Sequence, residues 1–287
     1  MKKYKICKIL LVILAIFLCV AFYELLGICV AYKKQPEVSN TTKKETKNGS
    51  WNECSENTER AVIIEKNPEA LLQRVRLIKN AKKEIILSTF AFQSDESGKL
   101  ILGALHDAAD RGVHIRLLVD GMESWIDMEG NPYFYGLSSH ENVEIKLYNK
   151  ANPLKPWKMM GRMHDKYLIA DGKRYILGGR NTYNYFLGDF PGHKNYDRDV
   201  LVVCDEPEKE NSVNQLSEYF ETIWNQEDSS YFHNNKKLAN RKSVKNAVLE
   251  LQNGYQKYFE ENKERICDTD YTDETFETEK IALVSNP

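Results

Sequence analysis

Residues 163–181 read MHDKYLIADGKRYILGGRN. His164 and Lys166 stand two apart in a run that alternates with apolar residues, and residues i and i+2 of a strand share a face. An imidazole and an ammonium therefore point one way, and Asp165 and Tyr167 point the other. Asp171 ends the strand, and a turn at Gly172 leads into a second strand that closes in Gly178-Gly179-Arg180-Asn181. Glycines at such a place let the backbone approach a ligand closely. The set offers an imidazole, an ammonium and a carboxamide to one anionic group. Lys166 and Asn181 can hold the non-bridging oxygens of a phosphate with no metal required. His164 can attack the phosphorus and form a covalent intermediate.

The elements that must position these groups follow an alternating pattern. Ala61–Glu65 is a short apolar strand. Asn67-Pro68-Glu69 reads as a helix start, an N-cap followed by proline, and Leu71, Leu72, Val75 and Ile78 recur at helical spacing. Strands are predicted at Glu84–Phe90, Val113–Val119 (ended by Asp120-Gly121), Val143–Tyr148, His164–Ala170, Arg174–Leu177 and Val200–Val203. A helix over Lys99–Arg111 stops at Gly112. Two later helices carry core stripes, one with Val213, Leu216, Phe220, Ile223 and Trp224, the other with Val244, Ala247, Val248, Leu251, Tyr255 and Tyr258. Strands alternating with helices imply a mostly parallel sheet covered on both sides, with ligands at the carboxyl ends of strands.

The pattern His-x-Lys-x4-Asp-x6-Gly-Gly-x-Asn resembles the phospholipase D superfamily, and the double glycine resembles its cardiolipin synthase-like branch. The resemblance covers residues 60–287. It implies an α/β fold with a mixed sheet flanked by helices, and phosphodiester chemistry in two steps through a phosphohistidine, without metal or cofactor. Carried over, His164 is the nucleophile or its paired acid/base, and Lys166, Asn181 and Gly179 bind the substrate phosphate. Asp171 belongs to the same catalytic motif, with a mainly structural part at the strand end. An acidic residue downstream orients the histidine in this family. Asp199, in Asp-Arg-Asp before a strand, is the first choice and Asp197 the second, because a carboxylate on the far ring nitrogen fixes the tautomer. His193 is a lesser candidate for proton transfer. Arg162 and Arg180 flank the motif, where lipid headgroups or surface ion pairs account for them.

Composition limits the alternatives. The chain has 287 residues, a formal net charge of −2 and 42% hydrophobic residues, unlike a basic nucleic-acid coat or an acidic disordered protein. Its six cysteines form no Cys-x-x-Cys pair, so no zinc site or disulfide framework is signalled. From Ile9 to Tyr32 run 24 residues with a single charge, Glu24, long enough to cross a membrane. Residues 1–34 are read as a retained transmembrane anchor in the cell membrane, with lysines on both flanks leaving its orientation open. Residues 35–58 are a polar tether, 59–266 the phospholipase D-like domain, and 267–287 an acidic linker and the start of a possible second half.

The family's site uses two such motifs facing each other, and this chain has one. His106, His114, His140, His193 and His233 are not followed by lysine two residues on. IALVSNP (281–287) echoes AVIIEKNP (61–68), as if a duplicated protein stopped early in its second copy. A second half-protein or a homodimer would then supply the other His-Lys pair. Three activities fit: a membrane-anchored phospholipid phosphodiesterase or phosphatidyltransferase of the cardiolipin synthase type, a nuclease, or an incomplete half-site that binds anionic headgroups or a partner chain. Nucleic acid is the less favoured partner, since Lys155, Lys158 and Arg162 with Trp157 make only a short basic aromatic stripe, which suits anionic lipid equally well.

Overall fold

The structure is a computed structural model that describes residues 2–33, 40, 43–44, 59–204, 211–233, 235–279 and 281–283. The expected tether over 35–58 and the Asn-Pro end of the repeat lie almost wholly outside the described residues.

Helix α1 (Lys2–Lys33) precedes a nine-stranded sheet. The strands are β1 (Glu59–Ile64), β2 (Glu84–Thr89), β3 (His114–Asp120), β4 (Val143–Tyr148), β5 (Tyr167–Ala170), β6 (Arg174–Gly178), β7 (Asp199–Val203), β8 (Ser229–Tyr231) and β9 (Phe276–Thr278). Their spatial order is β8-β4-β3-β2-β5-β6-β7-β1-β9. Only β2–β3 and β3–β4 pair in parallel, and the other neighbours are antiparallel. The mixed sheet expected from the family is therefore present, whereas the mostly parallel sheet inferred from alternation is not. Alternation holds only where a helix returns the chain. Asp171-Gly172 turns β5 straight back into β6, and such a hairpin is antiparallel.

One face of the sheet carries α2 (Asn67–Asn80), α3 (Glu96–Asp110), α5 (Pro132–Ser138) and α7 (Lys242–Glu261), joined by a core that includes Leu71, Val75, Leu102, Leu105, Phe134 and Leu251. The other face is closed by α6 (Ser212–Trp224), whose Val213, Leu216, Phe220, Ile223 and Trp224 meet Ile86, Tyr167, Ile169 and Val202. Among the described residues two further short helices are α4 (Gly121–Asp127) after β3 and α8 (Lys263–Cys267) after α7. Helix α3 starts at an aspartate cap: Asp95 Oδ1 accepts from Gly98 N at 3.0 Å.

Two local readings are corrected. Asn67 is the first residue of α2 rather than its cap. Its carboxamide is taken up far along the chain, donating to the Asn195 carbonyl at 2.9 Å and accepting from Arg180 Nε at 3.2 Å. The acidic segment after Cys267 is not a linker. The fully buried Arg76 donates to Glu274 at 2.9 Å and to the carbonyls of Asp268 and Asp270, and lies over the Tyr271 ring at 3.9 Å. Strand β9 then pairs with β1 at the sheet edge, and Ile281 and Leu283 rest on the α6 side of the core. The acids of this segment serve arginines about two hundred residues earlier.

Candidate active site

Strand β5 begins at Tyr167, three residues later than the alternation predicts, so His164 and Lys166 occupy an extended lead-in. Pairing still reaches Lys166, whose carbonyl accepts from Gly178 N at 3.1 Å. The lead-in is clamped by Asp120 at the carboxyl end of β3. That buried carboxylate accepts from Met163 N at 3.0 Å and from Arg162 Nε at 2.9 Å, while also capping α4 through Met122 N and Glu123 N. Within the lead-in itself, Asp165 N turns to Met163 Sδ at 3.3 Å instead of a neighbouring strand, in keeping with the late start of β5.

His164 and Lys166 do face the same way. Both meet the ring of Phe90, at the carboxyl end of β2: the His164 ring lies edge-on with centroids 4.6 Å apart, and Lys166 Nζ is 5.2 Å from the centroid. The Arg162 guanidinium shares the ring at 5.0 Å. Asp165 points to the opposite face, where its Oδ2 accepts from Tyr219 Oη of α6 at 2.9 Å.

Burial shapes both titrations. The His164 imidazole is held below its ordinary range by burial first and then by the Lys166 charge, against the pull of Asp165 and Asp120. Its ring is exposed to approach and has no hydrogen-bond partner among the described residues. Burial pushes Lys166 down to about 8, opposed by the nearby carboxylates of Asp165 and Asp197. Its Nζ donates to the His164 carbonyl at 2.6 Å. A neutral imidazole beside a charged amine is the state that attacks an anionic phosphate.

The double glycine works differently from its sequence reading. A Cβ on Gly178 would collide with the Asp199 carboxylate, and one on Gly179 with the Asp197 carboxylate. The glycines thus make room for two acids entering β7, so the space over Gly179 is not open to a phosphate. Asn181 is nearly buried, accepts from Ala91 N at 3.3 Å and hydrogen-bonds the Tyr183 hydroxyl, which sets its carboxamide beside the end of β2 that carries Phe90.

Asp199 does not reach the His164 ring. Its Oδ2 is bonded to Arg74 Nη1 at 2.9 Å and Arg180 Nη1 at 3.3 Å, all of them buried. The choice of Asp199 as the orienting acid is therefore corrected: two guanidiniums hold it. Asp197 approaches Lys166 rather than the imidazole. Asp171 sits at the far end of β5, roughly 17 Å of strand from Lys166 at the end of the lead-in. Its carboxylate accepts from the backbone N–H of Lys82, Lys83 and Glu84 at 2.7–3.0 Å, and its own φ is 55°. It fastens a turn, in keeping with the mainly structural part expected of it at the strand end, and these contacts place it away from His164 and Lys166. Arg180 is fully buried, donating to the Ile64 and Glu65 carbonyls, so neither headgroups nor surface pairing account for it. Arg162 is an ion pair with Asp120 and Glu123. His193 lies in a loop against Tyr185 and bonds Asn195 Oδ1.

Phe90 and Asp120 were missed as site residues. Each was signalled only by its position, the last residue of a buried strand run whose carboxyl end faces the motif.

Residues 74–224 match the family model described as cardiolipin synthase, phospholipase D-like domain. A Helicobacter pylori J99 protein described as uncharacterized is 30% identical over 212 residues, 69% of this chain and 39% of its own length. Cardiolipin synthase C of Escherichia coli K12 is 30% identical over 154 residues, 49% of this chain and 31% of its own. The chain thus spans about a third of the length of these relatives. The phosphatidylserine synthase structure from Haemophilus influenzae Rd KW20 superposes with a TM-score of 0.50 at 16% identity, over 75% of this chain and 48% of that one, a likeness of fold alone. With the family model matching more than half of its residues, the chain belongs to the phospholipase D superfamily through a cardiolipin synthase-type domain.

Proposed function

We propose that the protein is a membrane-anchored phosphodiesterase or phosphatidyltransferase that acts on phospholipids through His164. The observation that carries this reading is the convergence of His164 and Lys166 on Phe90, the imidazole held neutral and the amine charged. An imidazole nitrogen bonds to phosphorus as the bond from phosphorus to the leaving alcohol oxygen breaks, and that oxygen takes a proton. Water or an acceptor alcohol then attacks phosphorus, loses its proton and releases the histidine. Lys166 offsets the charge of the non-bridging oxygens and Asn181 donates a hydrogen bond to them throughout. Helix α1, long and apolar enough to cross a membrane, holds the site near its substrate.

The leaving oxygen needs an acid, and the chain has one His-x-Lys. His106, His114, His140 and His233 pair with Asp110, Glu144, Asp110 and Glu129, in other parts of the domain. A second half-site, from a second copy or another polypeptide, supplies the acid in this account. The test is headgroup release or exchange from phosphatidylglycerol and phosphatidylcholine vesicles by the purified full chain, with DNA as an alternative substrate. His164→Ala should lower lipid turnover by about 10⁴-fold or more, as removal of a covalent nucleophile does. Turnover that survives the substitution contradicts the assignment, and cleavage of DNA alone favours a nuclease.

A further inference from the structure

We infer that the loop 151–161, with Trp125 and Ile126 of α4, is a lipid-inserting surface that sets the His164 site at the headgroup level of the leaflet holding the carboxyl end of α1. The inference rests on the reading of α1 as an anchor and deepens it by naming where phospholipid meets the domain.

The register of α1 against the domain carries it. Tyr23 Oη donates to the Leu154 carbonyl at 2.9 Å. Gly27 is buried against Pro156, and a Cβ built there would come within 2.6 Å of Pro156 Cβ. A hydrocarbon core of about 30 Å takes about 20 residues of helix. Every window of that length within Ile9–Tyr32 contains both Tyr23 and Gly27. Even the window that ends earliest, at Ile28, leaves Tyr23 roughly 7 Å inside the boundary. Pro156 lies directly on Gly27, and Leu154 meets the tip of the Tyr23 side chain, so both sit at the hydrocarbon boundary within about a side-chain length.

The side chains around them suit lipid. Leu154 is 77% exposed, Ile126 66%, Trp125 65%, Met160 53% and Trp157 46%. Large apolar residues clustered beside an apolar helix are a membrane-facing patch rather than scattered surface residues. Tryptophan prefers the interface between hydrocarbon and headgroups, and Lys155 on the same loop can reach anionic lipid, whereas Lys158 is paired with Asp228 at 2.6 Å. Between α1 and the domain lies a cavity of about 600 Å³ walled by Ile28, Met122, Trp125, Met159 and Phe232. Glu24, the one charge in the apolar run, lines that cavity together with Lys150 and His233, as ionisable residues of membrane helices face protein rather than lipid. His164 follows Gly161 by three residues, at most about 10 Å of chain. A loop seated in the hydrocarbon boundary therefore brings the imidazole to the layer of phosphates.

The test uses the full chain in vesicles of phosphatidylcholine and phosphatidylglycerol, with and without acyl chains brominated near the headgroup. Bromine should remove at least half of the tryptophan emission, and Trp125→Phe with Trp157→Phe should abolish that difference. Gly27→Leu, which pushes Pro156 away from α1, should reduce the quenching at least twofold. Labelling of Cys19 by a membrane-impermeant maleimide, read by peptide mass, reports on the anchor separately. Cys19 protected with both tryptophans unquenched leaves the anchor standing and overturns the inserted loop. Cys19 labelled overturns both. Quenching that persists unchanged in the double tryptophan variant also overturns the inference.

Discussion

A lysine ammonium buried beside an imidazole ties two titrations to one activity. His164 is competent when neutral, so activity rises as the pH climbs through its lowered value, below 6.5. Lys166 is competent when charged, so activity falls as the pH passes about 8. The kcat/KM profile, which reports free-enzyme groups, should be a bell with its basic limb near 8 and its acid limb displaced to lower pH. Lys166→Arg keeps its charge through the alkaline range and should remove the basic limb, whatever rate it costs. A basic limb left unchanged in that variant would assign it to another group. Phe90 belongs to the same balance, because His164, Lys166 and Arg162 all meet its ring.

At the scale of elements, the hairpin of β5 and β6 holds the motif, and its two ends do different work. Asp171 ties three backbone N–H groups of the turn into β2. Asp171→Ala should lower unfolding stability by about 1–3 kcal/mol, the usual cost of stranded donors, and leave turnover per folded molecule within about threefold. A denaturant titration and a rate measurement on the folded protein check both. A loss beyond tenfold with stability intact would return Asp171 to the chemistry. Arg74 and Arg180 meet at Asp199 on the helical side of the sheet. Arg74→Ala removes one partner of a buried ion pair and should cost about 3–5 kcal/mol, measured the same way.

The same elements mark what could be read from residues alone. The strands and long helices were legible because their apolar periods are strong, and the edges of β4 were legible because alternation starts and stops cleanly. The motif was legible as a pairing of His164 with Lys166, since strand geometry fixes what shares a face. Asp199 was misread because its partners, Arg74 on α2 and Arg180 in the motif itself, are brought together only by the fold. Asp120 and Phe90 were passed over for the same reason, each being an ordinary residue until β2, β3 and β5 lie side by side. The antiparallel order and the edge strand β9 were hidden because pairing partners lie far apart along the chain.

At the scale of the whole molecule, the proposed site sits on a domain that packs against an apolar helix. If two chains share each site, activity per chain should rise with surface density in vesicles. Equal amounts of wild-type and His164→Ala chains should then leave about one quarter of the pairs with two imidazoles, by random pairing in a two-fold dimer. Activity that stays at half, whatever the density, would point to chains acting singly.

The central claim is a bond between His164 and phosphorus. The direct measurement is rapid acid-free denaturation during turnover of a labelled phospholipid, followed by peptide mass spectrometry. A phosphorus adduct is expected on the peptide that contains His164, labile to acid, stable to base and missing from His164→Asn. Sustained turnover with no adduct, or an adduct on a different residue, would contradict it.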